Sequence, residues 1–281
     1  MTGEVKAAGY DLETTLMALK ARGRTALISY TTAGDPDLAT TLTVMGIMSA
    51  SGADVVELGV PFSDPLADGP VIQEAAHRAL ATGTNLAGVL ETVSLFRKSS
   101  ARQVPIILLS YYNPILAYGL SGFARDAAKA GVNGVVVPDV PPEEAGPLKA
   151  ACSSSEPRVC VTFLAAPTST HERLEVIGKS SEGFIYAVSV TGVTGARVGL
   201  PTELPASLAR IRQHTSLPIA VGFGVESPED AAVLATIADG VIIGSAVVKR
   251  LHEEGPAAVA EYISSLRRAI DRADALQPAA L

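Results

Sequence analysis

The strongest constraint on this chain is a repeated alternation: short apolar runs rich in β-branched residues, each followed by a longer stretch with helical spacing. Eight such runs occur, at residues 25–30 (TALISY), 54–59 (DVVELG), 104–110 (VPIILLS), 134–138 (GVVVP), 158–164 (RVCVTFL), 184–189 (FIYAVS), 218–222 (PIAVG) and 240–244 (GVIIG). From the first start to the last is 215 residues over seven intervals, on average about 30 each, the length of a strand–helix–strand unit. Most are continuously apolar, which suits parallel strands covered on both faces. Helical spacing predicts helices over 38–50, 86–98, 121–130, 142–151, 170–180, 204–213, 228–237 and 255–271, with a further helical pattern over 71–80. The start at residue 228 is the clearest, with Ser227 at the N-cap, Pro228 in the first turn and Glu229 and Asp230 behind it.

Eight strands each followed by a helix predict a (β/α)8 TIM barrel, with an extra N-terminal helix over 12–22 that closes its bottom. An open doubly wound sheet would have fewer strands and a GxGxxG turn after the first, which is absent. No linker, charge block or low-complexity segment divides the chain, so residues 1–281 are expected to form a single domain, with 1–9 and 275–281 as frayed tails.

Composition narrows the function. Of 281 residues 48% are hydrophobic, enough for a large core, and 22 Lys and Arg against 29 Asp and Glu give a net charge of −7. No global positive field exists to gather nucleic acid or an anionic membrane, so an anionic ligand must be held locally. The N-terminus lacks the apolar core of a secretory signal and no run of 18 apolar residues occurs, so a cytoplasmic protein is expected. Cys152 and Cys160 have no CxxC spacing and are expected to be structural thiols.

In a barrel of this kind, chemistry sits where strands end and the following loops begin. The second strand carries Glu57 within an apolar run and leads into a proline-stiffened loop holding Asp64 and Asp68. Burial raises the pKa of a carboxyl group, which would make Glu57 a general acid; the alternative is a glutamate paired with Arg or Lys or bonded to backbone. Asp64, before Pro65, suits a turn. Asp68 reads equally as the N-cap of the following helix or as a carboxylate for a substrate N–H. Gly222-Phe223-Gly224 after the seventh strand, Gly244-Ser245 after the eighth and Thr191 to Gly195 after the sixth either make tight turns or offer main-chain N–H groups to a phosphate. The four histidines, His77, His171, His214 and His252, fall in or beside helices without metal-ligand spacing, so no metal site is expected. No lysine lies within a strand for Schiff-base chemistry, and no GxSxG occurs.

The segment ELGVPFSDPLADGP, Glu57 to Pro70, resembles the signature of the tryptophan synthase alpha subunit family. Supporting matches run from ALISYTTAGDP at residues 26–36 through Tyr111-Tyr112-Asn113-Pro114, Pro138-Asp139-Val140-Pro141, residues 163–170 (FLAAPTST) and 189–196 (SVTGVTGA) to Gly244-Ser245-Ala246-Val247-Val248. Ser29 and Thr32 depart from the residues common in the family. The resemblance implies a lyase that splits indole-3-glycerol phosphate into indole and glyceraldehyde 3-phosphate. Glu57 then stands at the position of the acid–base and Asp68 at that of the carboxylate holding the indole N–H. Gly195, Phe223, Gly224, Gly244 and Ser245 match the phosphate cradle. Tyr30, Ile72, Tyr111 and Phe223 match the indole pocket, while Tyr186 and Thr194 match contacts of Glu57 and Asp68. Residues 61–70 and 190–199 match lid loops. The resemblance further implies no cofactor in this chain but pyridoxal phosphate in a partner beta subunit, an alpha2beta2 heterotetramer, and Asp64 and Asn113-Pro114 in segments facing that partner. A stand-alone lyase releasing free indole, and a non-catalytic barrel sensing a phosphorylated ligand, are the alternatives.

Overall fold

A computed structural model describes residues 10–188, 201–222 and 224–277. Among these residues the elements run α1 (Leu12–Ala21), β1 (Ala26–Thr32), α2 (Leu38–Ala50), β2 (Val55–Gly59), α3 (Pro70–Ala81), α4 (Leu86–Ser99), β3 (Ile106–Leu109), α5 (Tyr112–Tyr118), α6 (Leu120–Ala130), β4 (Gly134–Val136), α7 (Gly146–Ser153), β5 (Cys160–Thr162), β6 (Leu164–Ala165), α8 (His171–Ser180), β7 (Ile185–Val188), α9 (Leu204–Arg212), β8 (Ile219–Gly222), α10 (Pro228–Ala235), β9 (Gly240–Ile243), α11 (Ser245–Glu254) and α12 (Pro256–Leu276). All strand pairs are parallel, in the order β5-β4-β3-β2-β1-β9-β8-β7-β6. The two ends of that order are one extended segment: β5 and β6 flank Phe163, whose carbonyl accepts the Tyr186 N–H while its own N–H goes to the Ser181 hydroxyl. The expected eight-stranded barrel is therefore present, with its fifth strand divided in two because a side chain takes the ladder hydrogen bond at Phe163.

Side chains alternate between two apolar layers, as strand geometry requires. Ile28, Val55, Ile107, Val136, Cys160, Phe184, Ala220 and Ile242 line the barrel interior together with Leu12, Leu16 and Leu19 of α1. Leu27, Val56, Ile106, Leu108, Val135 and Val161 face outward onto the helices. Helix α1 thus plugs the barrel floor, as its position ahead of β1 predicts. Asp11 caps it by accepting the Thr14 N–H, and Gly134 and Gly183 leave room for Leu12, whose Cδ2 would sit 2.9 Å from a Cβ at either position.

Three boundaries differ from expectation for local reasons. Helix α5 was not expected around Asn113-Pro114, yet Pro114 falls in its first turn, where a missing N–H costs nothing. Helix α7 begins four residues later than the pattern suggests because residues 141–145 fold into turns. Helix α12 runs to Leu276, beyond both the expected end at 271 and the start of the expected tail at 275. Its Asp274 side chain accepts the Thr25 N–H and hydroxyl at 2.9 and 2.7 Å, and Gln277 donates to the Ala235 carbonyl. The capping box at Ser227 and Asp230 forms as the spacing predicts.

If α1 is the floor of the barrel, Leu12→Ala should leave a cavity that the surrounding strands cannot collapse into. We expect a loss of about 2–5 kcal/mol in urea unfolding; a change below about 1 kcal/mol would show that α1 is only laid against the barrel.

Candidate active site

Glu57 lies on β2 in register with Tyr30 of β1 and on the same interior face as Val55. It is 1% exposed, and neither carboxyl oxygen has a hydrogen-bond partner among the described residues. The alternative of a buried glutamate paired with Arg or Lys, or bonded to backbone, is therefore not what this strand presents. Burial, aided by the negative charge of Asp68, pushes its pKa up to about 8. At neutral pH Glu57 holds a proton it can donate.

Asp68 comes within electrostatic reach of Glu57 from the loop after β2 and is 6% exposed. It is not the N-cap of α3: Gly69 occupies that position and no side chain caps the helix. Instead the Tyr111 hydroxyl donates to Asp68 Oδ2 at 3.1 Å and accepts the Ala67 N–H at 2.8 Å. Burial raises the Asp68 pKa and the Tyr111 hydrogen bond, which favours the ionised form, restrains it at about 6. Gln73 Nε2 donates to the Asp68 carbonyl at 2.9 Å, and Phe62 stacks on the Tyr111 ring at 5.2 Å. Helix α3 is fixed in turn by Arg78, whose guanidinium grips Asp35 through two hydrogen bonds of 2.8 and 2.7 Å. Asp64 lies in a turn closed by its backbone carbonyl, which accepts the Leu66 N–H, while its side chain accepts the Ser63 hydroxyl in place of the side-chain-to-backbone bond expected before Pro65.

The aromatic residues predicted around these acids converge on them. Tyr30 shares a hydrogen bond with Thr32 and lies so close to Gly59 that a Cβ there would meet the Tyr30 oxygen at 1.9 Å. Tyr186 packs on Gly222 in the same way, at 2.6 Å. The Tyr186 phenol is pushed well up by burial and then by the charges of Glu57 and Asp68, and the Tyr30 phenol by burial and then by Asp68, so both rings lie within electrostatic reach of the acids. Ile72 shares a small apolar cluster with Tyr30, Ala75, Leu109 and Val248. Phe62, Gln73 and the packing roles of Gly59 and Gly222 escaped sequence analysis. Phe62, Gly59 and Gly222 stand within the motifs named above, whereas Gln73 lies beyond Pro70 and carries no signal but its place in a helical pattern.

On the anion side, Gly244 is the N-cap of α11, and the N–H groups of Val247 and Val248 turn back to its carbonyl. The first-turn N–H groups of Ser245 and Ala246 then have no acceptor within the helix and are available to an anion. Gly224 adopts φ +79°, which favours glycine, just past the neighbouring strand β8. Thr194, Gly195, Phe223 and the loop 190–199 lie outside the described residues. No cluster of three or more metal-ligating side chains occurs among the described residues. His171 and His214 meet on the surface at 3.2 Å, joining α8 to the end of α9. Cys152 and Cys160 are buried free thiols, pushed up to about 12 by burial, as expected of structural cysteines.

Comparison with known proteins follows the same lines. The profile of the family described as tryptophan synthase alpha chain matches residues 16–276. The tryptophan synthase alpha chain of Geobacter sulfurreducens is 49% identical over 261 residues, covering 91% of this chain and 97% of its own; that of Thermosynechococcus vestitus is 51% identical over 256 residues, covering 90% and 94%. Among solved structures, the tryptophan synthase alpha subunit of Legionella pneumophila superposes with a TM-score of 0.84 at 39% identity, over 94% of this chain and 100% of that one. Tryptophan synthase of Mycobacterium tuberculosis matches with a TM-score of 0.84 at 38% identity, over 93% and 98%.

The burial of Glu57 should be visible in stability. Its carboxyl keeps a proton in the folded chain up to about pH 8 but ionises near 4.5 when unfolded. Between those values the native state binds the extra proton, so the contribution of this group to unfolding free energy falls as pH rises and levels off above about 8. Glu57→Gln removes that titration. Urea unfolding at a series of pH values should show the variant gaining on the wild type across this window, by on the order of a few kcal/mol; parallel curves would mean that Glu57 ionises normally.

Proposed function

The chain belongs to the tryptophan synthase alpha chain family, and on that premise we propose how its residues carry the family's reaction. It is a lyase of tryptophan biosynthesis that cleaves indole-3-glycerol phosphate, releasing indole and glyceraldehyde 3-phosphate by a retro-aldol reaction. The protonated Glu57 delivers its proton to C3 of the indole ring. The bond from C3 to the glycerol chain then breaks, its electrons returning to the ring, while the adjacent hydroxyl loses its proton and its carbon becomes the aldehyde carbonyl. The Glu57 carboxylate takes that hydroxyl proton, so the residue ends as it began.

Asp68 holds the indole N–H and offsets the positive charge of the C3-protonated ring. The observation that carries this assignment is two buried acids in unlike surroundings: the Glu57 oxygens have no hydrogen-bond partner among the described residues, which favours the protonated acid, whereas Asp68 accepts the Tyr111 hydroxyl, which favours the carboxylate. General acid–base transfer is worth roughly 10²–10⁴-fold, so charge stabilisation by Asp68 and substrate positioning supply the remainder. Tyr30, Ile72, Tyr111 and Phe223 enclose the indole, Tyr186 supports Glu57 and Thr194 supports Asp68. Gly195, Phe223, Gly224, Gly244 and Ser245 cradle the phosphate, with the start of α11 supplying main-chain N–H groups in place of a lysine.

A beta subunit carrying pyridoxal phosphate is the proposed partner, in an alpha2beta2 assembly in the cytoplasm, with this chain contributing no cofactor of its own. Asp64 and Asn113-Pro114 lie on the facing side. Leu66 and Leu116 support this surface: they stand 86% and 47% exposed on the same two segments, an apolar exposure that a docked partner removes.

Indole release from indole-3-glycerol phosphate, measured with and without a beta subunit, tests the scheme. Glu57→Gln should abolish turnover, and Asp68→Asn should lower it by roughly 10²–10³-fold. Full activity in Glu57→Gln would remove that residue from the chemistry, and equal turnover with and without the beta subunit would favour a stand-alone lyase.

A further inference from the structure

We infer that Asp139 is a positioning residue for this reaction: by capping helix α5 from a neighbouring connection, it holds the Tyr111 hydroxyl on Asp68. The inference rests on the role proposed above for Asp68. Helix α5 has seven residues, and the residue at its N-cap position, Tyr111, offers no capping oxygen of its own. So short a helix is not stable by its own hydrogen bonds. Its first N–H, that of Tyr112, instead donates to the Asp139 carboxylate, with 3.0 and 3.3 Å to the two oxygens. Asp139 lies on the connection from β4 to α7, and a carboxylate facing a helix start is favoured by the unmatched N–H groups there.

The residue before that capped N–H is Tyr111, which touches the site. Its hydroxyl bridges the Ala67 N–H and Asp68 Oδ2 at 2.8 and 3.1 Å. The backbone is tied on both sides of it: the Ser110 N–H donates to the Val136 carbonyl of β4 at 3.0 Å, and the Tyr112 N–H goes to Asp139. The Ser110 hydroxyl also donates to the Tyr111 carbonyl at 3.0 Å. A tyrosine hydroxyl lies a full ring's length from its backbone, so releasing one of these ties moves it most. Among the described residues, the titratable groups around Asp68 are Glu57 on β2, Tyr30 on β1, Tyr186 on β7 and Tyr111 itself, none of which brings a positive charge. The hydrogen bond from Tyr111 is the influence that favours the ionised carboxylate. Losing it raises the pH at which Asp68 becomes ionised.

The test is kcat/KM for indole release against pH, with a thermal melt, for Asp139→Ala, Asp139→Asn, Tyr111→Phe and the Asp139→Ala/Tyr111→Phe double variant. Tyr111→Phe should lower kcat/KM several-fold and move the acid limb of the profile upward. Asp139→Ala should move it the same way and no further. Asp139→Asn, which keeps an acceptor oxygen, should fall nearer the wild type, and the double variant should match Tyr111→Phe because both changes break one chain of contacts. A lower melting temperature in Asp139→Ala with an unmoved acid limb, or losses that multiply in the double variant, would overturn the inference. Asp139→Ser, a shorter capping side chain, serves if the alanine variant fails to fold and should give an intermediate displacement. Asp68→Asn separates the two levels. Full activity there refutes the role of Asp68, whereas an inactive Asp68→Asn beside a wild-type profile for Asp139→Ala refutes only the role of Asp139.

Discussion

Taking a carboxylate out of water without a counter-charge costs more than taking out the neutral acid, and a closed barrel imposes that cost on Glu57. Strand β2 is flanked by β1 and β3 and covered on both faces, so alternate side chains have no course but inward. At Val55 this direction leads into the apolar floor closed by α1. One step up the same face, at Glu57, it leads toward a second acid and three phenols, those of Tyr30, Tyr111 and Tyr186, but no described cation. The acid therefore keeps its proton near neutral pH, and the chemistry assigned to the site follows from that one property.

Asp68 is also raised by burial, but less far than Glu57: it is less deeply buried, and a phenol donates to it and favours its ionised form. The difference between the two acids is one hydrogen bond and one position in the fold, strand against loop. The loop is ordered by contacts from outside itself: Gln73 holds its end, Phe62 stacks on Tyr111, and the Arg78–Asp35 pair secures the helix that follows. Two glycines give the phenols their places. Side chains at Gly59 or Gly222 would occupy the positions of the Tyr30 and Tyr186 rings. These absences of a Cβ shape the surroundings of the two acids.

The short helix α5 extends the site to the next strand connection. A seven-residue helix with a proline in its first turn needs an external cap, and Asp139 supplies it while Tyr111, immediately before, reaches the acid. The segment expected to face a partner and the hydroxyl that sets the ionisation of Asp68 thus share one turn of backbone. Stability and catalysis meet there through a carboxylate that touches neither substrate nor the reacting acids.

Much of this protein was legible as a linear pattern. Eight apolar runs alternating with helical stretches specify a barrel because continuously apolar strands must be covered on both sides, and Glu57 stands out as a carboxyl within the otherwise apolar strand Val55–Gly59. Capping at Ser227 and Asp230 and the plug at residues 12–22 were equally local matters of spacing. The sequence left open whether Glu57 is paired and whether Asp68 caps a helix, since both depend on neighbours that are remote along the chain. Tertiary structure decided these points: no described residue reaches the Glu57 oxygens, Gly69 takes the cap, and Tyr111, 43 positions away, takes Asp68. Likewise, nothing local foretells that Phe163 divides a strand or that Asp139 caps α5. Hydrophobic periodicity is written residue by residue, whereas hydrogen-bond partners and desolvation are set by which strands the closed barrel brings side by side.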